Sequence, residues 1–159
     1  KSWCRSEDMR AVIQKVTKAS VTVGGDIVGS INRGLCVLVG INRDDGQDDV
    51  EYIIRKILNT RLFSSEEGKK WDKSVKDMNL QVLCVSQFTL FGYLKGNSLD
   101  FHVAMSHDKA KPFYEDFLAQ MGKTYQQDKI EDGQFGAMMS VSIENDGPVT
   151  ILLDSKKRD

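Results

Sequence analysis

The sequence predicts a single α/β domain: a mainly antiparallel, barrel-like sheet carrying two long amphipathic helices. Three observations point there. From Arg10 to Gly40 the chain is rich in β-branched residues and is broken at Gly24-Gly25 and Asn32-Arg33-Gly34, the pattern of strands joined by tight turns. Two later stretches switch from a period of two to a period near 3.6. A length of 159 residues with 40% hydrophobic content suffices for one buried core and leaves little room for a second domain.

In chain order, strands are expected at about 11–16, 20–23, 27–31 and 35–40. In the stretch 48–61, Val50, Ile53, Ile54, Ile57 and Leu58 fall at i, i+3, i+4, i+7 and i+8, which places them on one face of a helix. A short strand at 61–63 leads into 64–76, a polar stretch with Lys69, Lys70, Lys73 and Lys76 that reads as a solvated surface loop. The stretch 81–90 is the most strand-like in the chain. A second helix is expected over 108–125, where Ala110, Phe113, Tyr114, Phe117, Leu118 and Met121 share a face. Two final strands, 137–143 and 149–153, flank Glu144-Asn145-Asp146-Gly147-Pro148, which reads as a hairpin loop because Asp-Gly and Pro favour tight reversal.

Residues 1–8 read as an extension ahead of a natural start at Met9, with the domain over 9–155 and a short basic tail over 156–159. A net charge of −1 provides no general attraction to a polyanion, so any contact with RNA has to be local. Lys156, Lys157 and Arg158 beside Asp154 and Asp159 make only a weak footprint for DNA. No apolar run approaches the roughly 18 residues that span a bilayer. Cys36 and Cys84 sit inside apolar runs, as reduced core thiols do, which favours a reducing compartment such as the cytosol. Two histidines and three scattered cysteines show no metal-ligand spacing, and no glycine-rich loop precedes a helix to cradle phosphate. No cofactor is expected.

For chemistry, Cys84 with His102 or His107 as base would make a thiol hydrolase, although a cysteine between Leu83 and Val85 is more simply core. Ser86-Gln87-Phe88-Thr89-Leu90 is the more informative segment. Its hydrogen-bonding side chains end an apolar strand, and buried polar groups need partners, so this strand end is expected to line a cleft.

These residues resemble the D-aminoacyl-tRNA deacylase family. The match rests on Ser86-Gln87-Phe88-Thr89-Leu90 and Asn145-Asp146-Gly147-Pro148-Val149-Thr150. It is supported by the run from Met9 to Gln14, Ala19-Ser20-Val21-Thr22-Val23, Lys95-Gly96-Asn97, Asp100-Phe101-His102 and Gly133-Gln134-Phe135-Gly136-Ala137. The resemblance implies a cytoplasmic homodimer acting on the aminoacylated 3′ end of tRNA. In it the Gly147-Pro148 loop, with a cis bond, enters the other subunit's site and excludes an L side chain while admitting a D-amino acid or glycine. It also implies that backbone N–H groups around Phe88 hold the oxyanion, and that Ser86, Gln87 and Thr89 complete the catalytic segment. Gly147, Pro148, Val149 and Thr150 would bind the aminoacyl end, and Phe135, Gly136, Ala137 and Met139 the adenosine. Thr89 is a nucleophile on paper, yet no base stands beside it in sequence, and assistance by the 2′-hydroxyl of the terminal adenosine is the alternative the resemblance favours. One departure is Lys15, where the family commonly has an arginine. If that arginine braces the Gly-Pro loop, a lysine offers a point charge in place of a fork of donors.

Overall fold

The computed structural model describes residues 8–157; of the expected extension over 1–8 all but Asp8, which is buried, lie outside the described residues, Cys4 included, as do the last two residues of the basic tail. Strand β1 (Arg10–Val23) is the spine of the sheet. It pairs antiparallel with β2 (Asp26–Ile31) and β3 (Gly34–Gly40) along one edge and with β8 (Ser140–Asp154) along the other. Strand β4 (Gln81–Ser86) adds parallel to β3, and β7 (Ile130–Asp132) adds parallel to β4. The path β2-β1-β3-β4-β7 curls until its ends meet: a Cβ on Gly29 of β2 would lie 2.0 Å from the carbonyl oxygen of Asp132 in β7. The expected barrel-like sheet is therefore a nearly closed mixed one. Strands β5 (Tyr93–Lys95) and β6 (Ser98–Asp100) form a separate hairpin.

Helix α1 (Gln47–Asn59) and helix α2 (His107–Thr124) cover one face of the sheet. The first begins at Gly46, whose N–H donates to the carboxylate of Asp49, so the acid satisfies one of the donors a helix start leaves free. Alternation on β3 and β4 divides the core. Leu35, Val37, Val39, Val82 and Cys84 face Ile53, Ile57, Phe117 and Met121 of the helices, whereas Cys36, Leu83 and Val85 point into the barrel with Val16, Val21 and Ile31. Because both faces are buried, these strands read as unbroken apolar runs.

Four expectations are corrected. Strand β1 is continuous where two strands were expected, with the exposed Thr17-Lys18 as its middle rather than a break. Strand β4 stops at Ser86, and Phe88–Phe91 is a 3-10 turn. Residues 137–143 and 149–153 are not two arms of a hairpin. Residues 140–143 and 149–153 belong to the single strand β8, held in one direction by β1, while 137–139 precede it as a turn and loop, and Asp146-Gly147-Pro148-Val149 is an excursion opposite Lys15, between the pairs Val16↔Asn145 and Gln14↔Thr150. The stretch 61–63 forms only an isolated bridge between Phe63 and Lys73.

A polar cluster closes the start of the domain. Ser155 accepts the N–H of Met9 and donates to Asp49, which Lys156 also meets at 3.1 Å. Nearby, Asp45 accepts the Asn42 N–H at 2.7 Å while its other oxygen is buried without a partner. Burial, reinforced by Asp49 and Asp8, pushes the Asp45 carboxyl up to about 8 against the pull of the Asn42 N–H and Lys156. The folded protein thus keeps a proton that the unfolded chain, with a carboxyl near about 3.9, has released. Stability from this group is full below that lower value and is lost as pH rises through the folded one. Melting temperature should therefore fall from pH 6 to pH 9, and Asp45→Asn, which keeps an acceptor for Asn42 without the charge, should flatten the slope. Calorimetry of both proteins across that range checks this; parallel slopes would rule Asp45 out as the source. Asp8, raised to about 7 by burial and by Asp154, leaves a residual slope.

Candidate active site

The cleft forms where β3 and β4 end. Gln87 extends their pairing by one bond, its N–H donating to the Val39 carbonyl at 2.8 Å. The chain then tightens into the 3-10 turn, with Leu90 N–H donating to Gln87 and Gly92 N–H to Thr89. The N–H of Phe88 precedes the first of these bonds and has no acceptor among the described residues, as expected at the start of a helical turn. Arg10 fixes the far side of the turn: its guanidinium donates to the Leu90 carbonyl at 2.8 Å, lies 4.7 Å from the Phe91 ring centroid and faces Asp154.

Phe88 is 58% exposed and meets Phe101 edge to face, with ring centroids 5.0 Å apart. The stretch from Phe101 to Ser106 is tied along the end of β3 by Arg43 N–H to Val103 and Met105 N–H to Ile41, and it delivers His107, the first residue of α2, to the rim. The opposite wall is Phe135-Gly136. The Phe135 ring lies 5.2 Å from His107 and 5.6 Å from Tyr114, and Tyr114 donates to Asp132 at 2.6 Å, anchoring the segment from below. Gly136 has φ +77, and a Cβ there would lie 2.7 Å from His107 Nε2, so only glycine allows this approach.

The cleft has a volume of about 410 Å³ and is lined by Ser86, Gln87, Phe88, Phe101, Ser106, His107, Phe135, Gly136 and the apolar residues between them. Its lining holds no carboxylate, lysine, arginine or cysteine; His107 is its one titratable side chain. Such a site can enclose a flat, largely apolar group and offer hydroxyl, amide and backbone donors to it. Among the described residues no three acidic, histidine or cysteine side chains are grouped to hold a metal ion.

The expected residues divide into three groups. Ser86, Gln87, Phe88, Phe135 and Gly136 come together in the cleft. Thr89 lies just outside the lining, and its hydroxyl accepts a hydrogen bond from the Gln87 amide. Ala137 and Met139 also lie outside: Ala137 closes a turn on Gln134, and Met139 packs against the barrel core. Gly147, Pro148, Val149 and Thr150 are absent from the lining of their own chain's cleft. The Gly147-Pro148 bond is cis, Gly147 has φ +124, and Asn145 braces the excursion through Val149 N–H at 3.2 Å and Thr150 at 3.0 Å. Lys15, opposite the excursion, donates instead to the Leu62 carbonyl and lies over the Phe63 ring.

Cys84 is fully buried, and desolvation, followed by the nearby Asp132, raises its thiol well above the usual range. His102 pairs with Asp100 on the surface hairpin. A thiolate assisted by a histidine is thus absent, which removes the thiol-hydrolase reading. Sequence reasoning missed His107 and Ser106 as lining residues and Tyr114 with Asp132 as their support. The one available signal was the quoted Asp100-Phe101-His102 segment, which immediately precedes that wall.

A model of the family described as D-Tyr-tRNA(Tyr) deacylase matches residues 12–154. The D-aminoacyl-tRNA deacylase of Drosophila melanogaster is 59% identical over 150 residues, spanning 94% of each chain. D-aminoacyl-tRNA deacylase 1 of Homo sapiens is 56% identical over 147 residues, spanning 92% of this chain and 70% of that protein. A solved structure described as the c-Myc DNA Unwinding Element Binding Protein superposes with a TM-score of 0.88 at 56% identity, covering 91% of this chain and 97% of that one. A probable eukaryotic D-amino acid tRNA deacylase shares the fold, with a TM-score of 0.80 at 20% identity over 92% of this chain and 98% of that one. With its cleft built from the same segments that carry the resemblance, the chain belongs to the D-Tyr-tRNA(Tyr) deacylase family.

Proposed function

We propose that this protein hydrolyses the ester joining a D-amino acid, or glycine, to the terminal adenosine of tRNA. In this reading it works in the cytosol as a homodimer in which the Gly147-Pro148 excursion of each subunit enters the cleft of the other. The observation that carries the reading is the separation of the two signature segments. Ser86-Gln87-Phe88 and Phe135-Gly136 form the cleft, whereas Gly147-Pro148 leaves the β1–β8 ladder opposite Lys15 and takes no part in the lining of its own cleft; in this reading a second copy supplies the missing wall.

In the chemistry we infer, the adenine lies between Phe135 and the cleft floor, and the ester carbonyl faces the Phe88 N–H. Water adds to the carbonyl carbon, and the oxygen that becomes negative is met by that N–H, an oxyanion contact of the kind worth several kcal/mol in acyl transfer, about 3 in order of magnitude. The intermediate then collapses with cleavage of the bond to the ribose oxygen, which takes a proton as it leaves. The adjacent ribose hydroxyl passes protons in this reading, because the lining holds no carboxylate, lysine or cysteine. Thr89, engaged by Gln87, positions that amide. Selection works by rejection: backbone carbonyls of the excursion occupy the space of an L-residue's Cβ and accept the α-amino group of a D-residue. Glycine has no Cβ and passes.

The test is deacylation of D-tyrosyl-tRNA and L-tyrosyl-tRNA side by side without added metal. Release of the D form alone is expected; release of neither would sink the reading. A second reading, binding of duplex DNA, follows from the description of the solved relative, and salt-dependent duplex binding without deacylation would favour it.

A further inference from the structure

The lysine-rich stretch between α1 and β4 is not a floppy surface loop. Phe63, fully buried, exchanges backbone hydrogen bonds with Lys73 in both directions and accepts one from Asp72; Ser65 and Lys69 close the turn beyond. This frame holds Trp71 with φ +57 and 58% exposed. A large aromatic side chain left mostly exposed on a left-handed backbone contributes little to the core and takes a conformation that L side chains disfavour, which points to a role outside the fold. On either side stand Lys69, Lys70 and Lys73, all exposed; Lys70 makes no ion pair among the described residues, and Lys69 and Lys73 share the single carboxylate of Asp72. Arg33 and the half-buried Lys15 stand against the buried Phe63 ring beside this surface, and the exposed Glu66 and Glu67 belong to the turn that Ser65 and Lys69 close. Cations around an exposed aromatic side chain suit an RNA backbone, the lysines meeting phosphates and the indole, with its N–H donor, lying against riboses of the shallow minor groove.

Position gives this surface its role. It lies at the Gly34/Gln81 end of the β3–β4 pair, whereas the cleft lies at the Val39/Ser86 end, on the order of 16 Å away along the strands. It is, however, beside the Gly147-Pro148 excursion, because Lys15, which bonds to Leu62, stands directly opposite that excursion in the β1–β8 register. Resting on the proposed homodimer, we propose that Lys69, Lys70, Trp71 and Lys73 of one subunit dock the acceptor-stem backbone of a tRNA whose 3′ end occupies the cleft of the partner subunit.

The test compares the wild-type dimer with the combined variant K69Q/K70Q/W71A/K73Q on two substrates, full-length D-tyrosyl-tRNA and 3′-O-(D-tyrosyl)adenosine. All four side chains are exposed, so the variant should fold and dimerise. Expected are a KM for the tRNA raised about tenfold or more, since the loss of three phosphate contacts is of that order, and an unchanged kcat. The salt dependence of KM should also become shallower by about two to three in logarithmic slope, with kinetics on the adenosine ester unaltered. An unchanged KM and salt slope for the tRNA would overturn the proposal. Wild-type protein inactive on both substrates would instead overturn the functional reading and the docking surface with it. Mixed dimers with Ala104→Trp, a cleft-filling variant inactive by itself, separate the subunits. There the working cleft belongs to the loop-variant subunit, so recovery of the wild-type KM places the surface in trans, and a KM that stays high overturns the cross-subunit arrangement.

Discussion

Gly147→Ala should lower kcat/KM for D-tyrosyl-tRNA by about a hundredfold or more and blur the distinction between D and L substrates, while leaving the fold intact. The residue sits at φ +124, where an L side chain is strained, and an added Cβ would lie 2.7 Å from Val149 Cγ2 and 3.0 Å from Val149 N. Relief requires Val149 to move, and Val149 is the residue whose N–H Asn145 uses to brace the excursion. A shift near 1 Å in a group that positions substrate costs about 10²-fold. The excursion lies outside its own chain's cleft, and of its side chains Val149 packs, half-buried, against the edge of the main core, so the melting temperature should change by only a few degrees. Steady-state kinetics on both enantiomers with a thermal melt is the measurement. A variant that retains full rate and full discrimination would mean that the excursion does not form the selective wall.

The elements legible in the sequence were those whose signal is local. The apolar runs Leu35–Val39 and Val82–Val85 marked the two buried central strands, and the helical spacing of Ile53, Ile57, Phe117 and Met121 found both helices to within two residues at either end. The elements missed depend on partners distant in sequence. Asp146-Gly147-Pro148 carries turn chemistry, yet β1 is fourteen residues long and hydrogen-bonds the flanks on both sides, so the tertiary ladder overrides the local preference and the residues bulge instead of reversing. Strand β7 is three residues long and exists because β4 offers a free edge. Strand β4 ends early because Gln87 turns out of the sheet, and that turn frees the Phe88 N–H.

The site follows the same division. Ser86, Gln87 and Phe88 were visible as polar groups ending an apolar strand, and the family resemblance supplied Phe135 and Gly136. His107 was visible only as one of two histidines weighed against Cys84, since its neighbours in space come from residues 86–88 and 135–136. Tyr114 read correctly as core, but its hydroxyl, bonded to Asp132, connects that core to the cleft wall, and helical periodicity records the ring and not the oxygen. Trp71 carried no periodic signal at all.

Gly29→Ala should damage both stability and activity, because it tests the place where sheet closure and cleft geometry are the same contact. The new Cβ would lie 2.0 Å from the Asp132 carbonyl oxygen and 3.0 Å from its carbon, so β2 and β7 must separate by more than about 1 Å to reach ordinary contact distance. Gly inside a strand often marks such an approach of another backbone. The loss of unfolded-state entropy on replacing glycine offsets under about 1 kcal/mol, against an overpacking cost of about 3 kcal/mol or more. For a chain of this size that is a drop of roughly 6–12 °C in melting temperature. Activity should fall further than stability predicts, because Asp132 accepts the Tyr114 hydroxyl and precedes Gly133, whose N–H donates to Cys84, and Phe135-Gly136 follows directly. Moving β7 therefore tilts the cleft wall against His107. Thermal unfolding and kcat/KM measured well below the melting temperature separate the two effects. A lowered melting temperature with unchanged kinetics would show that the seam only stabilises, whereas an unchanged melting temperature would show that β2 and β7 are not in contact at all.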